Sequence, residues 1–270
     1  MHHSHAQETL VAVTRSQVDK LGEKLRRGAG SDDSLLEQLQ AFRAEFDPPL
    51  ARALEVVGDA IDAEPAGRIK TVNTIVEKLI RSKTRLSTMQ DIAGVRVVLD
   101  CDLEAQNDAV DRLLAAFPGA KVDDLRDAPH YGYRAVHVIA LVGGFPVEIQ
   151  VRTRLQDLCA QALEKLADKV GRGIRYGEPP LVKTIDGTDV AAMVETTRSI
   201  SDIVRDIEAM LVAARKIEDR RGRDPQIEDA ALRQALEPSA AQLAEFRARL
   251  SAHENEVRAW LLDFVQILDN

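Results

Sequence analysis

Apolar positions along the chain change period several times, and each change predicts an element. From Leu10 to Arg26, and again from Ser34 to about Ile61, they recur at helical spacing. Leu35, Leu39, Phe42 and Phe46 fall on one face of the second segment, Gly28-Ala-Gly30 separates the two, and Pro48-Pro49 dents the second. A third helix is expected with Val72, Ile75, Val76, Leu79 and Ile80 as its buried stripe, which leaves Thr71, Thr74, Lys78 and Arg81 sharing the other face. After Asp91 the pattern turns extended: Ile92 to Leu99 is short and β-branched, as a strand of a covered sheet would be. Helix resumes at Leu103 and stops at Phe117, before Pro118-Gly119.

Two runs follow, Ala135 to Val142 and Phe145 to Arg152, separated only by Gly143-Gly144, a tight-hairpin signal. A two-residue turn would set Val142 opposite Phe145, His137 opposite Gln150 and Ile139 opposite Glu148. One face then carries Val136, Val138, Ala140, Val147, Ile149 and Val151; the other carries His137, Glu148, Gln150 and Arg152. Alternation alone leaves two explanations for the polar face, a site or a solvated sheet surface.

An amphipathic helix is expected from Arg154 to about Lys169, with Leu155, Leu158, Cys159, Ala162 and Leu166 inward, and Cys159 an inert core thiol. Gly171, Gly173, Gly177 and Pro179-Pro180 mark a loop. The remainder reads as two helices. Met193, Thr197, Ile200, Val204, Ile207, Leu211 and Ala214 form one seam, and Leu243, Phe246, Leu250, His253, Val257, Trp260, Phe264 and Ile267 the other. This is the spacing of an antiparallel pair or of a surface for self-association, so a homo-oligomer through these helices is one expectation and intramolecular packing the other. The mixed charges from Arg215 to Asp224 read as a solvated helix end. The chain thus divides into N-terminal helices (1–66), a central α+β region (67–180) and a C-terminal helical region (181–270).

Composition narrows the function. Hydrophobic residues make up 45% of the 270, enough for a folded core. No apolar run is long enough to span a bilayer, and the N-terminus lacks the pattern of a secretory signal, so a cytoplasmic protein without membrane contact is expected. Two separated cysteines, Cys101 and Cys159, form no metal knuckle or redox pair, and the early histidines read as a polar terminus. A net charge of −8 argues against wrapping long nucleic acid. Yet between Arg68 and Arg85 six basic residues stand against the single Glu77, a place for a small anion to dock.

Four segments carry more specific chemistry: Arg68-Ile-Lys70-Thr-Val-Asn-Thr74-Ile-Val-Glu-Lys78, Asp91-Ile-Ala-Gly-Val-Arg96, Gly132-Tyr133-Arg134-Ala-Val-His137 and Val147-Glu148-Ile-Gln150-Val-Arg152-Thr153. In this order and spacing they resemble the RelA/SpoT synthetase domain, over roughly Arg68 to Arg154 with weaker likeness to Lys169. The resemblance implies an α+β fold in which a mixed sheet is flanked by helices, to which the periodicity adds N-terminal helices and a C-terminal helical hairpin. It implies transfer of the β,γ-diphosphate of ATP to the 3′-hydroxyl of GDP or GTP. Lys70, Thr74 and Lys78 would meet the ATP phosphates, and Arg68 and Arg96 the adenine. Asp91 and Glu148 would share Mg²⁺, with Glu148 also taking the 3′-hydroxyl proton. Tyr133, Arg134, His137 and Gln150 would line the acceptor side, Tyr133 by stacking.

The sequence departs from the family where the acceptor side continues. Cys159 stands where the helix usually has Trp, Asp168-Lys169 where Tyr-Lys is common, and Pro129-His130-Tyr131 is shortened before Gly132. Two alternatives therefore stand beside the guanine-nucleotide reading: a toxin-like relative acting on the tRNA 3′ end or an adenine nucleotide, and a non-catalytic nucleotide-binding or interaction module.

Overall fold

The computed structural model describes residues 14–28, 32–185, 187–221 and 240–269. Three helices open the chain, where the sequence pattern predicts two: α1 (Arg15–Arg26), α2 (Asp33–Ala44) and α3 (Asp47–Ala60). The predicted start at Leu10 lies outside the described residues. Thr14 caps α1 in a capping box with Gln17, and Asp32 caps α2. The second predicted helix breaks because Phe46 turns inward between α2 and α3. Its ring is 2% exposed and meets Phe42 and Phe145 edge-on, at 5.4 and 5.0 Å. Pro48 and Pro49 then fall in the first turn of α3, where a missing N–H costs nothing, so they begin a helix instead of denting one.

A five-stranded mixed sheet has the order β1-β2-β5-β4-β3. Its strands are β1 (Ala66–Ile69), β2 (Ala93–Leu99), β3 (Lys121–Asp124), β4 (Val136–Val142) and β5 (Phe145–Thr153). Between them run α4 (Val72–Ser82) and α5 (Leu103–Ala116), and α6 (Arg154–Val170) follows β5 directly. The expected α+β fold, a mixed sheet with flanking helices, is the observed one. The predicted tight turn is also present: Gly143 and Gly144, at φ 58° and 88°, alone join β4 to β5. Along β5 the apolar face is fully buried at Val147, Ile149 and Val151, while Glu148 and Gln150 are half-buried. The α4 stripe is narrower than expected, because Ile75 and Leu79 are buried but Ile80 is 52% exposed.

The chain folds as two compact units. Among the described residues, one comprises those up to Val56 with Ala66–Val95 and Ile139–Glu148; the other comprises Val57–Pro65, Arg96–Val138 and those from Ile149 onward. In the second, a short ladder of β6 (Thr184–Ile185) and β7 (Thr188–Asp189) leads into α7 (Val190–Arg221), and α8 spans Ala240–Asp269. α6, α7 and α8 share two apolar clusters. One joins Leu163, Leu166 and Val170 to Val190, Val194 and Leu268; the other joins Leu155, Leu158, Cys159 and Ala162 to Val204 and Leu261.

The predicted seam of α8 is corrected here. Leu243, Leu250, Leu261 and Leu268 are the buried residues, whereas Phe246, Trp260 and Ile267 are 44%, 39% and 66% exposed. His253 is likewise on the surface, 3.1 Å from Glu256. Spacings of seven and of three or four both fit several stripes around a helix, and the packing partners choose among them. Arg215 is not merely solvated: it pairs with Asp102, the N-cap of α5, and with Glu104 at 2.5 Å. Among the described residues no helix is long and apolar enough to cross a membrane.

Candidate active site

The first cluster lies in the first unit, where β1 hands over to α4. Lys70 is fixed by its backbone: its N–H donates to Ile92 O at 2.8 Å, and its carbonyl accepts from Arg43 Nε at 2.6 Å. Thr71 then caps α4, its hydroxyl accepting from Thr74 N at 3.3 Å, while the Thr74 hydroxyl donates to Thr71 O at 2.9 Å. One turn on, Lys78 reaches back to Asp91, which precedes β2. Lys78 Nζ donates to Asp91 Oδ2 at 2.5 Å and Lys70 Nζ stands 3.5 Å from the same oxygen. Asp91 Oδ1 is buried and has no hydrogen-bond partner.

Burial by itself would raise the Asp91 carboxyl, but the ammonium groups of Lys70 and Lys78 outweigh it and hold the carboxyl below its ordinary value. Lys70 shifts down from its ordinary value, first through burial and then through Arg68 and Lys78, while Asp91 and Glu148 pull the other way. Glu148 thus acts electrostatically on the lysine that binds Asp91. Gly94 of β2 has the Glu148 carbonyl and Arg68 Cγ as its neighbours, 3.8 and 3.9 Å from where a Cβ would sit. Arg68, Lys70, Thr74, Lys78, Asp91 and Glu148 therefore belong to one unit, around the start of α4 and β2.

The second cluster lies in the second unit. Tyr133 Oη and His137 Nε2 are 2.8 Å apart, and Arg152 Nη2 donates to Tyr133 Oη at 2.9 Å and to Gln150 Oε1 at 2.8 Å. The Arg152 guanidinium also stands 5.0 Å from the centre of the Tyr133 ring and binds Asp157 of α6 at 2.9 Å. Arg96 Nη1 approaches the same Asp157 oxygen at 3.7 Å. Arg152 is 2% exposed and His137 9%, so on this cluster the polar face of the hairpin is a buried network and not a wet sheet surface. Burial opposes the Arg152 charge, but Tyr133 and Asp157 raise its affinity for the proton above the ordinary arginine value.

Two residues change their standing. Arg134 is 3% exposed and faces α7, donating from Nε to Ser201 Oγ at 3.0 Å and pairing through Nη2 with Asp202, so it is held within the protein and not offered to a ligand. Asp157 joins the network although the sequence singles out no acid there. An inward acid in the first turn of an amphipathic helix, five residues after a strand arginine, was the available signal.

Residues 67–169 match the family model described as the region found in RelA / SpoT proteins. An uncharacterized protein of Mycobacterium tuberculosis is 49% identical over 117 residues, 42% of this chain and 42% of that relative. The matched stretch therefore covers less than half the length of these curated relatives. A probable chloroplastic GTP diphosphokinase of Arabidopsis thaliana is 27% identical over 99 residues, 36% of this chain and 14% of that protein. Among solved structures, small alarmone synthetase 1 of Bacillus subtilis superposes with a TM-score of 0.46 at 22% identity, covering 66% of this chain and 97% of that one. Over residues 67–169 the chain is thus similar to the region found in RelA / SpoT proteins.

Proposed function

We propose that the chain is a nucleotide pyrophosphokinase that moves the β,γ-diphosphate of ATP onto the 3′-hydroxyl of GDP or GTP. One observation carries the reading: Asp91 is gripped through one oxygen by Lys70 and Lys78 while its other oxygen is buried and unbonded. A carboxylate so held suits a shared divalent cation, and the lysines beside it suit phosphate oxygens. Asp91 Oδ1 and Glu148 fit Mg²⁺, which takes only one or two carboxylates and otherwise binds water and phosphate. When bound, the ion would neutralise charge on the transferring phosphates.

The protein's own groups do the rest. Lys70, Thr74 and Lys78 hold the donor phosphates, Arg68 and Arg96 hold the adenine, and Tyr133, His137 and Gln150 receive the acceptor. The 3′-oxygen attacks the β-phosphorus, the bond from that phosphorus to the α,β-bridging oxygen breaks, and AMP departs. Glu148 takes the 3′-hydroxyl proton. Guanine as the acceptor base is supported by the relative named a GTP diphosphokinase.

The test is incubation with Mg²⁺ and ATP labelled in its β-phosphate, offered GDP, GTP, an adenine nucleotide or deacylated tRNA. Label on the guanine nucleotide, lost in Glu148→Gln, is expected. Label on tRNA or an adenine nucleotide alone would overturn the acceptor, and near wild-type turnover in Glu148→Gln would overturn the base.

A further inference from the structure

The turn that carries Tyr133 is held on both sides by α7. His130, Tyr131, Gly132 and Tyr133 form a tight turn in which Tyr133 N donates to His130 O at 3.0 Å, with φ of 52° at Tyr131 and 91° at Gly132. Two positive φ values in succession define the primed turn that glycine tolerates and a bulky residue does not, unless its surroundings hold it there. The Tyr131 ring packs on Gly177, where a Cβ would come within 2.5 Å of ring carbons, and the Arg198 guanidinium of α7 stands 5.3 Å from the ring centre. Arg198 is itself anchored, Nη2 donating to Ile174 O at 3.2 Å. At Gly132 the backbone of α7 itself comes close: a Cβ would lie 3.1 Å from Arg198 Cγ and 3.2 Å from its Cα.

One turn further along α7, Ser201 and Asp202 receive the guanidinium of Arg134, which also donates to Arg126 O. Tyr133, which lies between Gly132 and Arg134 in sequence, packs on the cluster containing Val190, Val194 and Leu268. All of these α7 residues lie beyond the matched residues 67–169.

We propose that α7 is a brace for the acceptor side, with Arg198 a positioning residue that sets the Tyr131-Gly132 turn and, with the Arg134–Asp202 pair, fixes where Tyr133 meets the acceptor. The proposal rests on the reading that Tyr133 receives the acceptor nucleotide. A brace of this kind affects the affinity for one substrate and leaves the other alone.

The test compares wild type, Arg198→Ala, Arg198→Lys and Asp202→Ala by hydrogen exchange over residues 130–134 and by steady-state kinetics with ATP and GTP. Faster exchange by about tenfold in that segment is expected for Arg198→Ala and Asp202→Ala. A rise of about fivefold in KM for GTP, with KM for ATP within about twofold of wild type, should accompany it, and Arg198→Lys should recover most of both. Unchanged exchange in 130–134, or equal rises in both KM values, would overturn the brace. If wild type modifies no guanine nucleotide, the functional reading fails while the exchange measurement still decides whether α7 holds the turn.

Discussion

Lys78 donates a 2.5 Å hydrogen bond to Asp91 Oδ2 while Asp91 Oδ1 stays buried without a partner. The lysine comes from a helix and the acid from a position 13 residues later, just before a strand, so the pair joins α4 to the start of β2. Removing the acid's charge leaves two ammonium groups facing each other. Asp91→Asn should lower turnover by about a hundredfold or more while the fold persists, as checked by steady-state rates beside circular dichroism.

The same pair predicts the acid limb of stability. The folded carboxyl is held below its ordinary value of 3.8, so its contribution is complete above about pH 4 and is lost as pH falls through the depressed folded value. Urea midpoints measured from pH 6 to pH 2 should fall more steeply for wild type than for Asp91→Asn.

Arg152 should matter more than its place outside any charged surface suggests. Arg152→Met would leave Asp157 buried and short of its 2.9 Å partner, costing about 3 kcal/mol in a urea melt. Adding Asp157→Leu should recover part of that loss, because an apolar pair needs no charge compensation. Equal losses in the single and double variants would show that the two residues do not act as a pair.

Glu208 of α7 is buried and receives hydrogen bonds from Thr153 Oγ1 and from Gln156 Nε2, the latter at 3.0 Å. Burial raises its carboxyl above the ordinary 4.5, against the lowering effect of those hydrogen bonds. The folded protein therefore binds this proton more tightly than the unfolded chain. Its contribution favours folding below about pH 4.5 and is lost as pH rises through the raised folded value. Glu208→Gln should melt at a higher temperature than wild type at pH 8, with the difference closing towards pH 4 in scanning calorimetry.

Both thiols should be slow to alkylate. Burial pushes Cys159 up to about 12 and, with Asp102 nearby, Cys101 up to about 11. Little thiolate exists at pH 8 at either position. Iodoacetamide should label Cys159 only after denaturant is added; rapid labelling in the native protein would contradict its place among Leu155, Ala162 and Leu261.

Local periodicity is enough for the elements whose partners are regular. The run before Leu99, the helix ending at Phe117 and the hairpin around Gly143-Gly144 all lie where alternation, a breaker or a turn dipeptide puts them. Edge strands are illegible. β3 is Lys-Val-Asp-Asp with every residue exposed, and β1 has three of its four residues exposed, so neither leaves an apolar signature. The α2–α3 break escapes a reading of the pattern because the prolines attract notice, whereas the residue that turns inward is Phe46.

The candidate site divides in the same way. Residue types and spacing were enough to mark the candidate side chains, since Lys70, Thr74 and Lys78 recur at intervals of four and Glu148, Gln150 and Arg152 alternate along one strand. Only the tertiary structure decided that Arg134 belongs to α7, that Asp157 holds Arg152, and that Arg198 leans on Tyr131. These pairs are separated by 68, 5 and 67 positions in the chain, and apart from the middle one no periodicity spans them. Whether a charge meets a ligand or another residue depends on what packs over it, and that is a property of the folded surfaces, not of the order of residues.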